Sequence, residues 1–227
     1  MHVARSLLAA TLIATSCPAA AAPPPTWQGL VLVKSKKMDV VYLLPNADFR
    51  SYTQIMYDPV QIAFQKDWLQ NYNDQAIGLS DRIDPGELRT AITQATKQFD
   101  NYFAAAFTKA GYPIASVPGP NVLRVSTAVL NVSVTAPDTG SSAGTTVAAS
   151  AGQATFVVEL RDSVSNQLLG QAIDPQIAGD YGGSIRTSAS NWSDFDDVFK
   201  AWAQLSVAGL TKLKSLSPVD TNGIQKK

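Results

Sequence analysis

Histidine and cysteine, the residue types behind most general-base, nucleophilic and metal-binding sites, each occur once in the 227 residues, as His2 and Cys17. Both lie in an N-terminal segment that has the pattern of an export signal. Such a signal is removed or processed on export, so the folded part has no imidazole, no thiol and no disulfide. We therefore predict no catalytic residue, no metal site and no cofactor.

The N-terminal segment, residues 1–22, is divided like a signal peptide. Arg5 gives a short basic region, and residues 7–15 (LLAATLIAT) are uncharged but far shorter than the ~20 apolar residues of a membrane span. The alanines at 19–22 suit cleavage, for instance after Ala21. Residues 13–17 (IATSC) also resemble a bacterial lipobox, in which the cysteine, here Cys17, is lipidated. Signal cleavage and lipidation both imply export to the periplasm. If Cys17 carries lipid, we expect an anchor in the outer membrane.

Without histidine or cysteine, nucleophilic catalysis needs a serine–lysine pair or an aspartate. Ser35 lies between Lys34 and Lys36, but the Ser-x-x-Lys spacing of penicillin-binding enzymes is missing. We interpret these lysines as solvated residues beside a strand. Hydrolysis by two carboxylates stays open, because 18 residues are acidic. The 18 lysines and arginines balance them, which leaves no basic excess for nucleic acid.

The candidate ligand-binding loop is the glycine-rich segment 174–191, between a predicted strand and the start of a predicted helix. Its glycines let the backbone approach a ligand closely, and a helix N-terminus favours anions. The alternative is an ordered connection in which Asp180 caps a turn. The polar residues that we predict for a site are Asp174, Asp180, Arg186 and Asn191.

Two long helices are predicted. The first begins at the cap Asp84, with Pro85 at the first helical position and Glu87 three residues after the cap, and ends at Gly111. The second is capped near Asn191 or Ser193 and ends before Pro218. Both carry an apolar stripe at helical spacing. The predicted buried stripe of the second consists of Phe195, Val198, Phe199, Trp202, Leu205, Gly209, Leu210 and Leu213.

Strands are predicted at 39–44, 121–136, 153–161 and 168–173, and across 55–64 with a break at Asp58-Pro59. This order indicates an α+β fold: one domain over 31–218, with an antiparallel or mixed sheet of about five strands and two long helices on one face. Residues 23–30 are predicted to form a Pro/Ala-rich tether, and residues 219–227 a disordered tail.

Several local patterns resemble one family of exported bacterial proteins, domain of unknown function 3313, from Trp27 to Pro218. The resemblance implies a Gram-negative envelope protein, commonly a predicted lipoprotein, and it brings no established activity and no catalytic residues. The patterns are Trp27-Gln-Gly-Leu30, Tyr42-Leu-Leu-Pro-Asn-Ala-Asp-Phe49 with Tyr52, Phe64-Gln-Lys-Asp-Trp68, Ala106-Phe-Thr-Lys-Ala-Gly-Tyr112, Ala178-Gly-Asp-Tyr-Gly-Gly183, and Phe195 with Trp202.

Together these features predict a non-catalytic envelope protein or lipoprotein that serves as a binding or structural module in the periplasm. The alternative is a carboxylate-based hydrolase that acts on envelope glycan. The expected partner is another envelope protein or a small ligand. We expect membrane contact only through the lipid anchor, and no nucleic acid.

Overall fold

The computed structural model describes residues 22–76, 78–79, 82–135, 146–148, 150–179, 184–186 and 188–222. For residues 146–148, 184–186 and 188–190 the description covers the backbone. The predicted signal segment, with Cys17, lies outside the described residues. The strands are β1 Thr26–Trp27, β2 Leu30–Val33, β3 Val40–Leu43, β4 Gln54–Tyr57, β5 Gln61–Phe64, β6 Val122–Val134, β7 Thr146–Ala148, β8 Gly152–Asp162, β9 Leu168–Ala178 and β10 Ser184–Arg186. The helices are α1 Trp68–Gln75, α2 Pro85–Lys109 and α3 Ser188–Leu216.

Eight of these strands form one mixed sheet, in the order β1-β2-β3-β9-β8-β6-β4, with β5 also paired to β6. β4 and β5 run parallel to β6, and the other neighbours are antiparallel. The α+β class and the mixed sheet are confirmed, but the prediction of about five strands is too low. The strands β1 and β2 are only 2 and 4 residues long, too short for alternation to identify.

The predicted break at Asp58-Pro59 divides one apolar run into β4 and β5. Both strands pair with β6, one after the other along its length. Ile55 of β4 and Ile62 of β5 belong to the same hydrophobic core. The interruption thus keeps apolar residues of opposite parity on one face of the sheet.

The N-terminus of α2 has the predicted capping box. The Asp84 carboxylate accepts a hydrogen bond from the Gly86 backbone N–H at 2.6 Å, and Glu87 Oε2 accepts one from the Asp84 N–H at 3.0 Å. Helix α3 starts at Ser188, before the predicted cap at Asn191. Helix α1 was not predicted, because its 8 residues are mostly polar, and Trp68 anchors it by packing on Phe64 at 4.7 Å between ring centroids.

The core is aromatic and lies between the sheet and the two long helices. Phe156 of β8 contacts Phe99 and Phe103 of α2, with ring centroids 5.9 and 5.8 Å away, and Trp202 of α3 at 5.1 Å. A strand side chain points to one face of its sheet. Both long helices therefore lie on the same face, as predicted.

Both ends of the described chain contact the fold. The Tyr42 hydroxyl donates to the Pro24 carbonyl at 2.8 Å, so the start of the segment 23–30 lies against the sheet. Val219, in the segment 219–227, is fully buried, and its N–H donates to the Ala47 carbonyl at 2.9 Å. Among the described residues, no helix has the length and hydropathy needed to cross a membrane.

Candidate functional site

A cleft of about 1650 Å³ lies between α3 and one end of the sheet. Helix α2 packs against α3 and β5, and α3 packs against β8 and β9. The sheet continues past β9 into β3 and β2, and the cleft lies over this extension. We call it the α3 cleft. Residues from β2, β3, β8, β9 and α3 line it, including Val33, Val41, Leu43, Leu160, Gly170, Ala172, Leu205, Gly209 and Leu213.

Small residues on the helix wall leave space in the α3 cleft. Ala208 and Gly209 lie on this wall, whereas Gly170 of β9 is buried and a Cβ built on it would lie 3.1 Å from Leu43 Cδ2. A Cβ built on Gly209 would meet no atom within 4 Å. The prediction that Gly209 belongs to the buried stripe of α3 is wrong, because Gly209 is exposed. At this point the helix surface faces the open cleft.

The interior of the α3 cleft is apolar. Val125 and Phe107 at its floor are 0% and 2% exposed, so the fold itself shields them from water. Leu160, Leu205 and Leu213 on the walls are only half-buried and present aliphatic surface to the opening. A concave site with apolar walls and a few polar groups at its edge is the usual form of a ligand-binding site.

The rim of the α3 cleft is positively charged. Lys34, Lys36 and Lys37 come from the β2–β3 connection and Lys212 from α3, whereas the acidic residues of the lining are Asp39 and Asp220. The ammonium groups of these lysines have no ion-pair partner within the part of the chain that the structure describes.

Ser35, the serine between these lysines, fixes the turn of the β2–β3 connection. Its hydroxyl oxygen accepts hydrogen bonds from the backbone N–H groups of Lys37 and Met38, both at 3.1 Å. Ser35 therefore stabilises the turn that presents the lysines. This agrees with the interpretation of these lysines as solvated residues beside a strand.

The predicted ligand-binding loop is only partly described. Asp174 is 2% exposed, and its Oδ2 accepts hydrogen bonds from Trp202 Nε1 at 2.8 Å and Gln176 Nε2 at 2.9 Å. Asn191 is buried in α3. Asp180 lies outside the described residues, and Arg186 is described by its backbone in β10. The structure thus gives Asp174 a packing role beside Trp202.

A smaller pocket of about 470 Å³ adjoins the predicted loop. Gln176, Gly179 and Trp202 line it on the side of β9 and the core, and Asp194 and Asp197 line it from α3. Asp174 and Asn191 are not among its described lining residues. The described residues also contain no group of three acidic, histidine or cysteine side chains placed to hold a metal.

Two polar clusters elsewhere join β4, β6 and α2. Tyr57 donates to Asp100 Oδ1 at 2.7 Å; burial and this hydrogen bond raise the pKa of the phenol. Burial alone would raise the pKa of the Asp58 carboxyl. Hydrogen bonds from Arg124 at 2.8 Å and Ser126 at 2.6 Å have the larger effect and hold that pKa below its usual range. Both clusters cross-link neighbouring elements.

The residues of the α3 cleft were not predicted as a site. Its walls come from segments that are distant in sequence, between Val33 and Leu213. Two signals in the sequence point to it: the lysines of the KSKK segment directly after an apolar strand, and a helix that carries Ala208 and Gly209 beside its leucines. Neither signal shows that the two walls face each other.

The sequence profile of the family "Protein of unknown function (DUF3313)" matches residues 28–206. No protein sequence of curated function matches the chain.

Three solved structures are similar to the chain at low identity. The PelC dodecamer from Paraburkholderia phytofirmans has 14% identity and a TM-score of 0.34, covering 71% of this chain and 96% of that one. A Xanthomonas campestris protein of the DUF330 family has 13% identity and a TM-score of 0.36, covering 76% and 91%. A putative neuraminyllactose-binding hemagglutinin homolog from Helicobacter pylori has 9% identity and a TM-score of 0.32, covering 76% and 95%.

Proposed function

Because the chain belongs to the DUF3313 family, whose function is unknown, we propose a function from the geometry of the α3 cleft. The protein is a non-catalytic, exported module of the bacterial cell envelope that binds an apolar ligand. One observation carries this proposal: the cleft is open and apolar over about 1650 Å³, and Ala208 and Gly209 leave space along its helix wall.

The energetics of the cleft favour a long aliphatic group. Each buried methylene contributes ~0.8 kcal/mol, so a chain of twelve contributes ~10 kcal/mol. Association costs ~4 kcal/mol or more in lost translational and rotational freedom. The difference supports binding in the micromolar-to-millimolar range from apolar burial alone.

A bulky side chain at position 209 should block the cleft. In Gly209→Phe the ring occupies space that no atom within 4 Å now fills. We expect the affinity for an uncharged apolar fluorophore, 1,6-diphenylhexatriene, to fall at least tenfold, measured by fluorescence titration.

Gly209→Ala is the matched control for this experiment. It adds one methyl group in open space, should retain the wild-type affinity, and should raise stability by ~1 kcal/mol because alanine is the better helix former. Equal fluorophore affinity in Gly209→Phe and Gly209→Ala, or no binding by the wild-type chain, would contradict the proposed ligand site.

The location of the protein is a separate part of the proposal, and it rests on the signal-like segment and on Cys17. We propose that lipidated Cys17 anchors the domain in the outer membrane, on the periplasmic side. Five residues lie between Cys17 and Pro23, which lines the α3 cleft, and the six residue steps of an extended chain span ~20 Å. Such an anchor would place the cleft close to the membrane surface.

Intact-mass measurement of the protein extracted from its native membrane tests this anchor. We expect a mature chain that starts at Cys17 and carries the added mass of acyl chains. An unmodified chain that starts near Ala22 would show simple secretion and would refute the anchor, without affecting the proposal for the cleft.

A further inference from the structure

We infer that the ligand of the α3 cleft is an anionic phospholipid, with an acyl chain in the apolar interior and the phosphate at the lysine rim. This inference rests on the proposed function and specifies the chemical class of its ligand. It requires a positive group at the mouth of the cleft, an apolar interior, and enough length for an acyl chain.

The charge at the mouth is local, because the whole chain is formally neutral at pH 7. The lining contains four lysines, Lys34, Lys36, Lys37 and Lys212, against Asp39 and Asp220. A net positive rim on a neutral protein attracts anions to this one region. Lysine ammonium groups bind phosphate as mobile point charges, which suits a head group that sits at the solvent boundary.

The lysines of the lining come from two elements. Lys34, Lys36 and Lys37 are exposed on the sheet side, in the turn that the Ser35 hydroxyl holds, and Lys212 is exposed on α3. Leu205 and Leu213 of α3 line the same cleft. A ligand whose acyl chain follows this apolar lining can therefore place an anionic head group beside Lys34, Lys36 and Lys37.

The size of the cleft favours a phospholipid over a compact ligand. Its volume of about 1650 Å³ exceeds the roughly 300–1,000 Å³ of ordinary small-molecule pockets. A neutral peptide, or a second copy of this formally neutral chain, would cover the same apolar surface without a net negative charge to match the positive rim.

Competition between two lysophospholipids with the same acyl chain tests the inference on the full chain. Each lipid displaces diphenylhexatriene, and lysophosphatidylglycerol differs from lysophosphatidylcholine by a net negative charge. We expect the anionic lipid to compete about tenfold more strongly at low salt. The preference should fall below twofold at 0.5 M NaCl, where the Debye length is only ~4 Å, and inorganic phosphate alone should displace nothing.

The rim variant K34Q/K36Q/K37Q should lose most of this preference while it still binds diphenylhexatriene. All three substitutions are at exposed positions, so folding should be unaffected, which a thermal melt verifies.

The control variant K66Q/K97Q/K109Q changes the net charge equally at exposed lysines outside the cleft, and it should keep the preference. Equal competition by both lipids would overturn the inference. Binding of diphenylhexatriene would in that case still support the apolar site. Equal loss in both lysine variants would show an effect of net charge and would also overturn the inference. A concentration-dependent dimer of the wild-type chain that the Gly209→Phe substitution dissociates would also overturn the inference, because a second copy would then fill the cleft.

Discussion

Replacing Asp174 by alanine should lower the free energy of unfolding by about 3 kcal/mol, because it leaves the buried indole N–H of Trp202 without an acceptor. Trp202 is fully buried, and its indole N–H donates to Asp174 Oδ2 at 2.8 Å. The Gln176 amide donates to the same oxygen at 2.9 Å. Urea unfolding followed by tryptophan fluorescence measures the change.

Asp174→Asn is the control, because an amide oxygen still accepts from the indole N–H. We expect the free energy of unfolding to fall by about 1 kcal/mol, because a hydrogen bond to a neutral acceptor is weaker than one to a charged acceptor. Both variants should bind diphenylhexatriene as tightly as the wild-type chain under native conditions, since Asp174 does not line the α3 cleft. An Asp174→Ala protein as stable as wild type would show that the contact with Trp202 does not stabilise the fold. Selective loss of binding would instead support Asp174 as a ligand-binding residue.

Gly152→Ala should destabilise the protein by about 3 kcal/mol or more, because the new methyl group meets rigid backbone. Gly152 has φ +154°, and a Cβ built on it lies 2.0 Å from the Ser133 carbonyl oxygen and 3.1 Å from the Val134 Cα. Val134 and Ala178 are its partners in the neighbouring strands β6 and β9. Relief of the clash therefore requires that the strands separate.

Thermal unfolding followed by circular dichroism measures this effect, and Gly209→Ala is the matched comparison. Both variants add one methyl group to a glycine, but position 209 has open space. The two substitutions should shift the melting temperature in opposite directions. If Gly152→Ala melted within a degree of the wild-type protein, the close approach of β6 and β8 at this position would be wrong.

Local sequence signals were sufficient where the determinant of structure is local. The capping residues Asp84 and Glu87 predicted the start of α2, and Asp58-Pro59 predicted the break between β4 and β5. Helix α1 was missed because it depends on the contact of Trp68 with Phe64, which the polar composition of the helix does not reveal.

The end of β9 shows how tertiary context changes a strand boundary. The strand continues to Ala178, past the predicted end at Ile173 and through Pro175. The pairing of β9 with β3 extends only to Ile173, so beyond Ile173 the strand β9 pairs with β8 alone. Proline is tolerated on such an edge, where one side of the strand needs no hydrogen-bond donor.

The candidate site could not be predicted in the same way. The sequence drew attention to Asp174 and Asn191 because polar residues near glycines suggest a loop, but the fold buries both. The α3 cleft depends on sheet order, which places β3 and β2 beyond the strands that the helices cover. Only the assembled sheet brings the lysines at 34–37 and Lys212 of α3 into the lining of one cleft.

The measurement that tests the central claim most directly is a set of nuclear Overhauser effects between a bound lipid and the methyl groups of the protein. With methyl-labelled leucine and unlabelled lysophosphatidylglycerol, the account predicts contacts from the acyl chain to Leu160, Leu205 and Leu213 in the α3 cleft. Gly209→Phe should abolish these contacts and Gly209→Ala should retain them. Contacts confined to exposed Leu79, which lies outside the cleft, or no contacts at a saturating lipid concentration, would contradict the account.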